Sequence, residues 1–108
     1  MSVAVLADPY VSTAFKLVGA KAFPVSSPQE AREKLRRVLE GEYKVVVLTE
    51  EVASMVKDER RRIAASGEVV PVFVVVPSFK GHENLRLKEL HDLISQAVGA
   101  KLKLEGSK

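Results

Sequence analysis

The stretch Val3-Ala4-Val5-Leu6-Ala7-Asp8-Pro9 decides how the rest of the chain is read. Its apolar residues follow one another without alternation, which describes a short strand buried on both faces. Asp8 and Pro9 then carry a double helix-start signature, an acid at the N-cap and proline at the first helical position, where its missing N–H has no partner to lose. A strand that runs directly into a helix is the first half of a parallel β-α-β unit. The spacing predicts a helix from about Pro9 to Val18, with Val11, Ala14, Phe15 and Val18 on its buried stripe and Gly19 ending it in the left-handed conformation.

Outward from this unit the same order recurs. Ala20 to Val25 is a weak second strand, and Pro24 places it at a sheet edge because proline cannot donate to a ladder. Ser27-Pro28-Gln29-Glu30 combines a capping box with proline at the first helical position. The helix it opens carries Ala31, Leu35, Val38 and Leu39 on one face and stops at Gly41. Lys44 to Leu48 is the third strand, centred on Val45-Val46-Val47. Thr49 is expected to cap one continuous helix with Glu50 and Glu51 in its first turn and Val52, Met55, Val56 and Ile63 as its apolar stripe. Ser66-Gly67 breaks that helix. Val69 to Val76 is the fourth strand, interrupted early by Pro71 and ended by Pro77. After a loop over 78–84, a last helix from about Leu85 to Val98 carries Leu87, Leu90, Leu93, Ile94, Ala97 and Val98, with Gly99 at its end and a polar tail over 101–108 expected to be mobile.

Strands alternating with helices in this way imply right-handed crossovers and a parallel sheet covered on both faces. The expected fold is α/β: one small flavodoxin-like domain with a four-stranded parallel sheet of order 2-1-3-4, followed by a C-terminal helix. Residues 1–77 form the body in this reading, and residues 78–108 the loop, last helix and tail of the same domain.

A chain of 108 residues has room for one core. Its apolar share of 46% is that of an ordinary globular domain and argues against disorder. No apolar run approaches the ~18 residues that cross a bilayer. The first residues have neither the charged leader nor the long apolar centre of a signal peptide. With no cysteine, disulfides, thiol catalysis and thiolate metal sites are all excluded, which fits an intracellular protein. The net charge of +3 is spread along helices with few aromatic residues between, unlike the basic faces of nucleic-acid binders.

In folds of this class ligands bind beyond the carboxyl ends of the strands, here near Asp8, Pro9, Thr49, Glu50, Pro77 and Ser78. A phosphate cradle there needs glycines that bring backbone N–H groups to the anion; Asp8-Pro9-Tyr10 has none, and Pro9 removes a donor. A receiver domain of the same fold needs an acidic pair after the first strand and an acceptor aspartate at the end of the third, but that strand ends Val47-Leu48-Thr49. His82 and His91 lack the spacing of a zinc site, and Ser26, Ser27 and Ser78 have no adjacent base. Arg60-Arg61-Arg62 reads as a solvated helix end that complements its own dipole, with phosphate contact as the rival reading. No cofactor, metal or catalytic residue is expected. Surface beyond the needs of the fold remains. The last helix is apolar over an arc wider than one stripe, and the fourth strand, an edge in the expected order, is long and apolar in Val72-Phe73-Val74-Val75-Val76. The stripe that covers the sheet accounts for most of those helix residues; the width beyond it, and the apolar edge strand, point to contact with a partner.

Several segments in order carry a family resemblance from Val3 to about Leu104: Val3-Ala4-Val5-Leu6-Ala7-Asp8, the Phe15-Lys16-Leu17-Val18-Gly19 piece of the first helix, Val45 to Ala53, Pro71 to Pro77, and Ala97-Val98-Gly99. Together they resemble the F subunit of archaeal- and vacuolar-type rotary ATPases. The segment Ser78-Phe79-Lys80-Gly81-His82 departs from that pattern. The resemblance implies a non-catalytic rotor subunit of the central stalk that binds the coiled coil of the D subunit. It would couple rotation to ATP synthesis or hydrolysis, as a peripheral part of a complex on the cytoplasmic side of the membrane. In that family the carboxyl-terminal helix is linked to partner contact, which here points to Leu87, Leu90, Leu93, Ile94 and Val98. The competing expectation is a stand-alone signalling or small-ligand-binding domain of flavodoxin-like type, with a nucleic-acid adaptor third.

Overall fold

The computed structural model of the chain describes residues 3–17, 19–67, 71–77, 86, 88–89, 92–93 and 95–96. Four parallel strands form one sheet of order β2-β1-β3-β4, as expected: β1 is Val3–Ala7, β2 Lys21–Pro24, β3 Val45–Thr49 and β4 Val72–Val76. β1 lies at the centre, with Val5 opposite Ala22 on one side and Val47 on the other. Ala4, Leu6, Val46 and Leu48 point to one face and Val5, Ala7, Val47, Val74 and Val76 to the other, as the two-residue period of a strand requires. Ala4 to Ala7 are all at 0% exposure, which is why β1 reads as an unbroken apolar run.

Helix α1 (Pro9–Lys16) covers the second face through Val11, Ala14 and Phe15, while α2 (Pro28–Glu40) and α3 (Glu50–Met55) cover the first through Ala31, Leu35, Val38, Val52 and Ala53. Asp8 Oδ1 accepts the Val11 N–H at 3.0 Å, and Gly19 takes φ +85°, so both signals flanking α1 act as read. Ser12 shares α1's buried side, and its hydroxyl donates to the Ala7 carbonyl at 3.0 Å. Val18, the expected fourth member of the stripe, lies outside the described residues, as do the loop over 78–84 and the polar tail.

Four local expectations need correction. The Ser27 hydroxyl accepts the Glu30 N–H at 3.2 Å, but the returning Glu30 carboxylate accepts the N–H of Ser26 at 2.7 Å, one residue earlier than a capping box places it. Leu39 sits at the border of the α2 stripe and is 37% exposed, because the face is centred on Ala31, Leu35 and Val38. Thr49 occupies the N-cap position of α3 without a side-chain cap bond; opposite Val76 on the last rung of β3, it is 2% exposed. The helix after Thr49 is two: α3 ends at Met55 and α4 spans Lys57–Ala65. Val56 between them leaves helical backbone, φ −114° and ψ 28°, and buries its side chain completely. Arg60 reaches back across the break and donates to the Ala53 carbonyl at 3.4 Å, one of the acceptors left over where α3 stops.

Candidate partner-binding surface

At the carboxyl end of β1 two polar side chains serve the backbone. Asp8 and Ser12 are occupied with the start of α1, and Thr49 is enclosed at the end of β3. Among the described residues no three His, Asp or Glu stand together as a metal would need. No described helix is long and apolar enough to cross a membrane.

The last apolar segment is described in part. Lys88, Glu89, Asp92, Leu93, Ser95 and Gln96 have helical backbone. Leu93 is half-buried and packs on the cluster of Val5, Ala7, Val47, Val74 and Val76, which places this residue on the second sheet face, the one that α1 covers. Glu89, Asp92 and Gln96 are exposed. Leu87, Leu90, Ile94 and Val98 lie outside the described residues.

β4 is the second apolar feature. Val72 donates its N–H to the Lys44 carbonyl at 2.9 Å, which turns the backbone groups of Val72, Val74 and Val76 toward β3 and those of Phe73 and Val75 to the open side. No other described strand pairs there. A hollow of about 650 Å³ runs beside this edge, with Ala53, Phe73 and Val75 on its apolar wall and Lys57, Arg60 and Arg61 around it.

A larger groove, about 680 Å³, opens between α2 and α4. Leu35, Leu39, Ile63 and Pro71 make its apolar lining, and Arg32, Arg36 and Arg62 stand over it with Glu59. The spacing of Arg32, Leu35, Arg36 and Leu39 along α2 was visible in the sequence as the border between a charged and an apolar face; their meeting with Arg62 and Ile63 was not, because α4 arrives from the other side of β3. Along the same helix, Glu30 is held below the usual carboxylate range, first by the Ser26 N–H and further by Lys34, whose ammonium lies 3.4 Å away and also donates to the Pro24 carbonyl. That pair ties α2 to the edge strand β2.

The family model described as the ATP synthase (F/14-kDa) subunit matches residues 3–94. The chain is 29% identical over 101 residues to the A-type ATP synthase F subunit of Methanosphaera stadtmanae, covering 93% of this chain and 94% of that one. It is 30% identical over 100 residues to the V-type ATP synthase F subunit of Clostridium botulinum, covering 93% and 95%. The crystal structure of the V-type ATP synthase F subunit from Archaeoglobus fulgidus superposes with a TM-score of 0.58 at 30% identity, over 68% of this chain and 94% of that one. One family thus accounts for the sheet order, the sequence from β1 into the last helix and the resemblance read from the residues, and the chain belongs to it: the family of the ATP synthase (F/14-kDa) subunit.

Proposed function

We propose that the protein is a non-catalytic rotor subunit in the central stalk of an archaeal- or vacuolar-type, proton- or sodium-translocating ATP synthase or ATPase. In this reading it binds the coiled coil of the D subunit and turns with it, a peripheral part of the complex on the cytoplasmic side of the membrane. The observation that carries the reading is the family match over residues 3–94, on a sheet of matching order. Asp8 and Ser12, at the carboxyl end of β1, are engaged with backbone, which supports the reading. A parallel sheet buried on both faces is a stiff body, suited to carrying torque without deforming.

Leu87, Leu90, Leu93, Ile94 and Val98 of the last helix are the proposed contact with the coiled coil, with Leu93 at the border between sheet and partner. Replacing Leu90 and Ile94 together with Asp tests this. Co-purification with the D subunit should be lost while the circular dichroism spectrum keeps its native shape. Retained co-purification moves the contact off this helix, and an unfolded chain assigns both positions to the protein's own core, since a buried unpaired charge is severely destabilising.

A further inference from the structure

Two arginines over the groove between α2 and α4 have no acidic counterpart among the described residues. The third arginine over the groove, Arg62, is matched by Glu59 at 3.6 Å, and elsewhere on α2 Lys34 is matched by Glu30 at 3.4 Å and Arg37 by Glu33 at 3.4 Å. Arg32 and Arg36 are exposed, four residues apart, and face Arg62 across the same space. Like charges brought together around one hollow lower stability slightly, so the fold alone does not favour the arrangement. Beneath them the lining is apolar. Leu39 is 37% exposed, one of the few large apolar side chains left open, and Ile63 is half-buried. Leu39 and Pro71 also line the adjoining hollow beside Gly41 and Tyr43, so the apolar lining continues past the end of α2. From Arg32 to Leu39 the wall rises about 10 Å, two helical turns.

We propose that this groove receives an acidic amphipathic helix of a neighbouring subunit, resting on the reading of the chain as part of a rotary complex. The partner's apolar stripe lies on Leu39, Ile63 and Pro71, and its carboxylates meet Arg32 and Arg36. A phosphate ligand fits less well. The arginines stand in mid-helix, where backbone N–H groups are already bonded along α2 and none is free to cradle an anion, and an apolar lining offers phosphate nothing.

The test uses the full chain and a synthetic helical peptide with Leu at every third and fourth position flanked by Glu, a twin peptide with Lys in place of Glu, and inorganic tripolyphosphate. Fluorescence anisotropy should show the Glu peptide bound, with affinity falling as salt is raised from about 0.05 to about 0.5 M. The Arg32→Glu/Arg36→Glu variant should bind it about ten-fold more weakly or worse, and should gain affinity for the Lys peptide. Both positions are exposed, so that variant should melt close to the parent, which separates a lost contact from a lost fold. Equal binding of both peptides, or indifference to the charge exchange, overturns the proposal. So does tripolyphosphate bound more tightly than the Glu peptide and lost in the same variant, which would make the groove a phosphate site. Either failure leaves the stalk assignment untouched, because co-purification of the unaltered chain with the D subunit decides that separately.

Discussion

Gly41 and the Tyr43 ring share space that no Cβ can enter. A methyl at position 41 would lie 2.9 Å from the ring's Cε2 and 3.1 Å from Cδ2, while the backbone there, φ −85°, suits any residue. The constraint is therefore the ring, which stands edge-on to Phe23 at 6.3 Å. Gly41→Ala should destabilise by about 1–2 kcal/mol through overpacking. In a Tyr43→Ala background that penalty should vanish, and urea unfolding of the double-mutant cycle measures it. Ser12 behaves differently. The Ala7 carbonyl that takes its hydroxyl also accepts the Val25 N–H at 2.8 Å, so Ser12→Ala leaves no acceptor stranded and should cost only about 0.5–1 kcal/mol. Glu30 gives a dependence on acidity. Its lowered pKa means that the folded state favours the carboxylate, so its stabilisation is complete above the ordinary range near 4.5 and is lost as pH falls through the lower folded value. In Glu30→Gln the acid limb of a stability-versus-pH curve from urea titrations should be flatter, and an unchanged limb would assign the effect to other carboxylates.

Among the elements, the α3–α4 break shows what packing can do against local preference. Val56 carries no glycine or proline beside it, and its spacing from Val52 continues a helix; the chain leaves helical geometry there and buries this side chain at 0% exposure. Val56→Ala should cost about 2–3 kcal/mol, as deletion of buried methyl groups does, seen as a lower midpoint with an unchanged m-value. The strands, their order and the starts of α1 and α2 were legible because each rests on a strong local device: an unbroken apolar run in β1 and β3, Pro24 in the edge strand, Asp8 and Ser27 ahead of prolines. The break at Val56, the exposure of Leu39 and the lack of a cap bond from Thr49 at its helix start were not, since each is settled by a neighbouring element rather than by adjacent residues. The proposed partner surface divides in the same way. An apolar arc on the last helix can be read from spacing, and Leu93 packs where such an arc meets the sheet. The arginine groove needs two helices placed side by side, which no single-segment pattern encodes.

For the molecule as a whole, one sheet supports two cores, and neither can persist without it. Leu6 belongs to the core under α2 and α3, Phe15 to the core under α1, and both are at most 1% exposed. Leu6→Ala and Phe15→Ala should each cost about 3–5 kcal/mol, and should do so by lowering one shared transition rather than splitting it, so that far-ultraviolet circular dichroism and tyrosine fluorescence give the same midpoint. Two separate transitions would show that the faces melt independently. At the outer strand, Val72 is 38% exposed and Val72→Lys should change stability by less than about 0.5 kcal/mol while slowing aggregation during refolding, because a charge on an open edge discourages pairing with another chain. The central place of β1 has a temporal consequence. Its neighbour on one side, β2, follows within a few residues of α1, but β3 on the other begins only at Val45, and β4 docks on β3 alone. A growing polypeptide therefore carries its central, fully apolar strand half-clothed until Thr49 has been made, and the interval between Ala7 and Thr49 is when this protein most needs shelter from its neighbours.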